Sequence, residues 1–347
     1  MLLLSVLCTS WLLFPATPEA HATAADAIRD GEPVRLDRPE YRKLFTELEN
    51  SHHFSRRELE KTFAGLTLDR EVLELMDRPW EAKPYYQYAP LFLTRKNIEK
   101  GRSLLEEHRE LLDRIEERFG VDREVILAIW AIETRFGANQ GRFNVLRTLN
   151  TLFAAYPRRS DFFRKELIQF LLLCRESGID PSTVKGSYAG AFGQTQFIPS
   201  SYRAYAVSFD GDDKPDVWNS VPDVLASIAN YLHEHGWTLD MPLYWDLGNE
   251  LKDPALVAAS VKGWRGRVDW RRVRDAQAPD LPPAPGKGRF SIVGLEQPPG
   301  SPAPMRYVAG FPNFQAITHW NHSNRYAMAA TELAEAIGGR PLGNNIR

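Results

Sequence analysis

The most chemically suggestive residue in the chain is a glutamate at the end of an apolar run. Glu133 follows Val125-Ile126-Leu127-Ala128-Ile129-Trp130-Ala131-Ile132 and precedes Thr134-Arg135-Phe136-Gly137. A carboxyl group at the end of such a helix is partly removed from water. Desolvation penalises the ionised form and keeps a carboxylic acid available as a proton donor. Taken alone, the helix leaves two readings open: a general acid, or a structural glutamate paired with Arg135 or another arginine. A second segment favours the acid. Gly186-Ser187-Tyr188-Ala189-Gly190-Ala191-Phe192-Gly193-Gln194-Thr195-Gln196 places small residues where a bulky ligand can approach the backbone. Ser187 and Gln196 add neutral hydrogen-bonding groups that suit uncharged hydroxyl and acetamido functions. An ordinary turn is the alternative for this loop.

These residues need a scaffold, and the composition provides for one. The 347 residues are 43% hydrophobic and 25% charged, ordinary globular values with length for two or three subdomains. A net charge of −2 and a pI near 6.5 argue against bulk attraction to nucleic acid or an anionic membrane. The 9 Trp, 12 Tyr and 18 Phe supply a core and flat apolar rings that suit sugar faces.

Met1 to Phe14 is almost wholly apolar and leads through Pro15 to Ala20-His21-Ala22-Thr23-Ala24. This pattern reads as a signal peptide over residues 1–22, cleaved near Ala22 or Ala24, and it is too short for a comfortable membrane span. No Lys or Arg precedes the run, as in a chain shortened at its N-terminus. Leu7 precedes Cys8 where a lipobox wants Gly or Ala, so any membrane attachment would rest on an imperfect anchor signal. Export implies an oxidising, periplasmic location. The mature chain keeps only Cys174, which sits on an apolar helical stripe and is expected to pack as a small hydrophobe.

Residues 23–120 read as a helical subdomain. Its signals are a capping box at Ser55-Arg56-Arg57-Glu58, an aromatic loop from Trp80 to Phe92, and a long amphipathic stretch from Thr94 to Phe119. Residues 121–238 form the expected catalytic core: Asp122 caps the Glu133 helix and Gly137 ends it, Ser160 opens the next, and Ser220 with Asp223 forms another capping box. Residues 239–311 shift towards Pro and Gly, with four prolines between Gln277 and Gly288 and a strand pair at Arg289–Leu295 and Met305–Ala309. Residues 312–347 return to helix and complete the core. The fold class is therefore α+β, predominantly α.

Several spaced motifs, taken in order, resemble the lytic murein transglycosylase B family. They are Glu133-Thr134-Arg135-Phe136-Gly137, Tyr156-Pro157-Arg158-Arg159, Gly186-Ser187-Tyr188-Ala189-Gly190-Ala191, Gln196-Phe197-Ile198-Pro199-Ser200-Ser201-Tyr202, Asn230-Tyr231 and Asn321-His322-Ser323. The resemblance implies a lysozyme-like core with helical and small β subdomains around it. It also implies that Glu133 is a sole acid/base acting on peptidoglycan glycan strands. Glu133 would protonate the oxygen between N-acetylmuramic acid and N-acetylglucosamine, then take the proton of the muramyl C6 hydroxyl as it closes on C1. Ordinary glycosidases need a second carboxylate, whereas substrate-assisted ones use the acetamido group. No second acid lies in the motifs around Glu133; one folded in from a distance stays open. By the same resemblance Ser187, Gln196 and Asn321 line the cleft, and Tyr88, Tyr231 and Tyr326 stand around the sugar or the glutamate. Arg158 and Arg159 meet lactyl or peptide carboxylates, unless they are only a solvated helix entry. Trp320 stands where the family often has tyrosine, which keeps ring stacking and puts the hydroxyl contact in doubt. The expected state is a monomer, with other cell-wall enzymes as conceivable partners. The rival readings are a lysozyme-type hydrolase that admits water and a non-catalytic glycan-binding scaffold.

Catalysis of this kind needs no cofactor. Ser208 to Asn219 nevertheless resembles an EF-hand calcium loop. Ser208 replaces its first Asp, Asp213 its turn glycine and Asn219 its last carboxylate. Asp210, Asp212 and Asn219 would be the side-chain ligands of a weakened calcium site, with the Lys214 carbonyl; a metal-free acidic turn is the other reading. His52 with His53 and His233 with His235 lack matching ligands at metal spacing and read as solvated helix ends.

Overall fold

A computed structural model describes residues 23–78, 83–277 and 289–344. The export segment, Pro79 and Trp80 at the entry of the aromatic loop, and Pro279, Pro282, Pro283 and Pro285 lie outside the described residues.

The N-terminal part is helical: α1 (Pro39–His52), α2 (Arg56–Phe63), α3 (Arg70–Met76), the single turn α4 (Tyr85–Tyr88), α5 (Arg95–Glu107) and α6 (Arg109–Phe119). Ser55 and Glu58 make both halves of the capping box, and Thr94 accepts the Asn97 amide. The stretch expected to be one helix from Thr94 to Phe119 breaks at His108, whose φ of −109° and ψ of 23° leave the helical region.

The middle of the chain contains α7 (Arg123–Thr134), β1 (Phe143–Asn144), α8 (Val145–Ala155), α9 (Ser160–Ser177), β2 (Lys185–Gly186), α10 (Pro199–Tyr205) and α11 (Val221–Glu234). Every residue from Val125 to Ala131 is buried, as a helix apolar on all sides must be. Neighbours α5, α6, α11 and α15, the last defined below, enclose it. Two capping expectations are corrected here. Asp122 holds the N-cap position of α7 without a side-chain cap; its carboxylate instead accepts from Trp237 Nε1 (2.9 Å) and Arg340 (3.0 Å). Ser160 is the first residue of α9 rather than its cap, and its hydroxyl donates to the Phe153 carbonyl (2.6 Å).

The rest comprises β3 (Tyr244–Gly248), α12 (Pro254–Val261), β4 (Arg267–Asp269), α13 (Trp270–Gln277), β5 (Arg289–Glu296), β6 (Met305–Gly310), α14 (Pro312–Trp320), α15 (Asn324–Gly338) and β7 (Gly343–Asn344). The sheet runs β4-β5-β6-β3-β7, antiparallel except for β3 with β7. Strand alternation divides β5 between two cores. Val293 and Leu295 join the main core, whereas Phe290 and Ile292 join a smaller one with Leu256, Val273 and Phe311. The small β subdomain thus has its own core and rests one sheet face on the helices.

Cys174 is buried on α9, and burial pushes its thiol up to about 12. Below that pH the reactive thiolate is scarce in the folded protein. The native chain should therefore resist a thiol reagent at pH 8 and react stoichiometrically once unfolded; rapid labelling of native protein would contradict this packing.

Candidate active site

Helix α7 stops three residues before the glycine expected to end it. Thr134 is its last residue; Arg135 (φ 52°), Phe136 (φ 59°) and Gly137 (φ 82°) then occupy the left-handed region in succession. The cost of two side chains there is offset by a tight anchorage. Thr134 Oγ1 donates to the Gln194 carbonyl (3.0 Å) and accepts from the Gly137 amide (3.0 Å). Trp130 Nε1 donates to Gln194 Oε1 (3.0 Å), and Gln194 Nε2 donates to the Trp218 carbonyl (2.8 Å). A Cβ at Gly137 would lie 2.3 Å from Gln194 Oε1, so only glycine fits. The glycine-rich loop thereby pins the helix end that presents Glu133.

Glu133 is half-buried in the last turn. Its Oε1 accepts two hydrogen bonds from neutral donors, Tyr326 Oη at 2.6 Å and Trp320 Nε1 at 2.9 Å. Both come from the C-terminal segment, Trp320 at the end of α14 and Tyr326 in the first turn of α15. Tyr326 is buried, and burial together with the Glu133 carboxylate holds its hydroxyl far above the usual phenol range. It therefore stays a donor at every working pH. Trp320, the substitution that put a hydroxyl contact in doubt, supplies an indole N–H in its place.

Two hollows meet at Asn321. One, of about 340 Å³, holds Glu133 with Tyr88, Phe92, Arg135, Asn139 and Tyr326. The other, of about 730 Å³, is walled by Arg159, Gln196, Phe197, Tyr231, Trp320 and His322. Glu133 is the only carboxylate among the described residues lining either one. Burial, with His235 beside it, lowers His319 from the usual range, and burial with Arg265 and Arg159 nearby lowers His322. Tyr231 stacks on His235 (4.1 Å, 15°), meets Trp320 edge-on (4.7 Å) and donates to the His319 carbonyl (2.8 Å). It buttresses the Trp320 ring from behind.

The structure therefore gathers Glu133, Tyr88, Tyr231, Trp320, Asn321, Tyr326, Gln196 and Arg159 around one cleft. Gln196, at a φ of 50°, donates to the carbonyls of Gln140 (3.2 Å) and Gly193 (2.9 Å). Ser187 and Arg158 differ from expectation. Ser187 Oγ accepts from the amides of Ala189 (3.3 Å) and Ala191 (3.1 Å), closing the loop's own turn outside both hollows. Arg158 is exposed and lines neither, whereas the Arg159 guanidinium lies over Phe162 (4.3 Å) at the cleft wall. Gln194, Phe197 and His319 were not singled out as site residues from sequence, and His235, read there as a solvated helix end, instead stacks on Tyr231 in the cleft wall. That contact was accessible from sequence, since His235 lies four residues after Tyr231 and so on the same helical face.

The calcium ligand set also changes. Asp210 and Asp212 are joined by the buried carboxylate of Asp223, which was not named as a ligand from sequence. Asn219 Nδ2 donates to Asp216 (3.1 Å). Asp223 accepts the amides of Phe209 (2.6 Å), Asp210 (3.2 Å) and Asp216 (2.8 Å). Asp210 accepts from Ser220 (2.8 Å), and Asp212 from the Lys214 amide (2.7 Å). The donors satisfying these carboxylates are the loop's own, so the residues fit a self-closed turn better than a cation cage.

A helical core presenting one carboxyl to an aromatic cleft belongs to the lysozyme-like class of glycan-cleaving proteins. Within that class the chain belongs to the transglycosylase SLT domain family, whose model matches residues 37–335. It is 32% identical over 311 residues to the membrane-bound lytic murein transglycosylase B of Escherichia coli, covering 86% of this chain and 82% of that protein. The crystal structure of soluble lytic transglycosylase SltB1 from Pseudomonas aeruginosa superposes with a TM-score of 0.77 at 35% identity, covering 87% of this chain and 99% of that one. SltB3 of the same organism, solved in complex with NAG-NAM-pentapeptide, gives 0.70 at 30% identity, covering 86% and 79%.

Replacing Tyr326 or Trp320 by Phe keeps a ring and removes one donor to Glu133. Hydrogen bonds to charged groups imply a rate loss of about tenfold or more for each. Without a donor the ionised carboxylate is less favoured, so the alkaline limb of the pH–rate profile, where the general acid loses its proton, should move to higher pH. Unchanged rates and limbs in both variants would show that these donors do not govern the carboxyl.

Proposed function

We propose that this chain cleaves the β-1,4 bond between N-acetylmuramic acid and N-acetylglucosamine in peptidoglycan without water, leaving 1,6-anhydro-muramyl ends. The observation that carries the reading is the single carboxyl among the described residues lining the cleft, whose Oε1 accepts from the Tyr326 phenol and the Trp320 indole. Family membership supports the reaction class, and the muropeptide bound to SltB3 supports the substrate class.

As an acid, Glu133 gives its proton to the glycosidic oxygen while the acetamido group of the muramyl residue stabilises the anomeric carbon. As the resulting carboxylate, it takes the C6 hydroxyl proton, and that oxygen closes on C1. One group serves twice because its protonation state alternates. Tyr326 and Trp320 stabilise the charged form midway through the cycle. Trp320, backed by the buried rings of Phe197 and Tyr231, offers a face for a sugar ring, and Arg159 a cation for lactyl or peptide carboxylates. A hydrolase that activates water on the opposite sugar face would want a second carboxylate, and the described lining of the cleft offers none.

The enzyme works on the cell envelope as an exported, periplasmic monomer whose macromolecular partner is the glycan strand. No helix of the described residues is long and apolar enough to cross a membrane. The reaction needs no metal, and the Asp210 loop is a metal-free turn.

Glu133→Gln deletes the titrating proton at nearly constant volume. It should melt where the wild type does and lose activity by at least about a hundredfold; near-wild-type release of muropeptides would refute the assignment. For the acidic loop, thermal midpoints in millimolar calcium and in chelator should coincide. A calcium-dependent rise would restore a bound cation.

A further inference from the structure

We propose that Glu296, at the end of β5 in the small β subdomain, is a positioning residue for the catalytic carboxyl. The proposal rests on the reading of Glu133 as acid/base. Its basis is one side chain that ties together the two segments converging on that group. Glu296 Oε2 accepts the backbone amide of Tyr85 (2.9 Å), at the start of the turn that carries Tyr88 into the cleft. The same oxygen accepts from Arg325 Nε (3.3 Å), while Oε1 pairs with Arg325 Nη2. Arg325 directly precedes Tyr326, the donor to Glu133. The fork of two parallel bonds fixes the guanidinium in direction as well as distance.

A second tie holds the same junction. Tyr85 Oη donates to Glu332 on α15 (2.5 Å). Glu332 is bonded by Arg306 of β6 (3.2 Å), which also reaches Asp246 of β3 (2.8 Å). The turn α4, the first turn of α15 and the sheet are thus one hydrogen-bonded block. Within it Glu296 bonds the backbone of α4 and the side chain next to Tyr326 at once. Neither Glu296 nor Arg325 lines the Glu133 hollow, so the carboxylate acts through Tyr88 and Tyr326 rather than on substrate there. The β subdomain becomes a brace for the active centre, and its strand β5 carries the contact.

Small displacements of a catalytic group cost rate steeply. Glu296→Ala should lower kcat on soluble peptidoglycan strands about tenfold or more, leave KM nearly unchanged and move the alkaline limb of the pH–rate profile upward, as loss of the Tyr326 donor does. Glu296→Gln still accepts the Tyr85 amide but loses the ion pair, and should fall between; it carries the test if the alanine variant fails to fold. In a Tyr326→Phe background, Glu296→Ala should cost markedly less than in the wild type, because both changes act through one contact. Folded Glu296 variants with wild-type kcat and pH profile would overturn the proposal. So would an undiminished loss in the Tyr326→Phe background. The products keep the two readings apart: hydrolysed ends from the wild type would count against the chemistry, whereas a wild-type Glu296→Ala making anhydro ends would count against the brace alone.

Discussion

Glu133 Oε1 accepts from an indole N–H and a phenol O–H, and the architecture follows from the need to bring those donors to it. A carboxyl at the edge of an apolar core is costly unless its polar atoms are satisfied. Neutral donors satisfy it while leaving both protonation states within reach, which a group serving as acid and then base requires. Trp320 and Tyr326 lie nearly two hundred positions downstream, so the C-terminal segment must fold back onto α7 before the site exists.

The fold meets this requirement from both sides. Helix α7 is apolar all round and is therefore encased, which fixes its axis. The glycine-rich loop fixes its end: Gln194 bonds Trp130 and Thr134 and leaves room for nothing larger than Gly137. From the other direction, α14 and α15 are held against the core and the β sheet. Tyr231 backs the Trp320 ring, and Ser323 caps α15 just ahead of Tyr326. Rigid elements on both sides hold the donors within hydrogen-bonding distance of the carboxyl.

Much of this was legible in the residues. The unbroken apolar run before Glu133 marks a buried helix ending in an acid, because no exposed helix tolerates that run. The strand pair at Arg289–Leu295 and Met305–Ala309 was also readable, whereas the division of β5 between two cores needed the fold. Other features depend on distance in space. Ser187 suits a sugar hydroxyl by type, yet its oxygen is taken up by amides two and four residues on, a local competition invisible in a motif. Asp223 looked like half of a capping box. Ser220 does cap it, but its buried carboxylate accepts three amides of the preceding loop and joins Asp210 and Asp212. Trp320 appeared to forfeit a hydroxyl contact, and only the fold shows its N–H pointed at Glu133. The break at His108 has no glycine or proline to announce it, and the Glu296 bridge joins residues more than two hundred positions apart.

The central claim is that one carboxyl, without a water-activating partner, carries a proton to the leaving oxygen and then removes one from the substrate's own hydroxyl. Digestion of purified sacculi in water labelled with heavy oxygen tests it directly, with mass spectrometry of the released muropeptides. The expected products are anhydro-muramyl ends, lighter than hydrolysed ends by one water and free of the label. Reducing ends carrying the heavy oxygen would mean that water enters the cleft as the nucleophile, and the single-carboxyl account would be wrong.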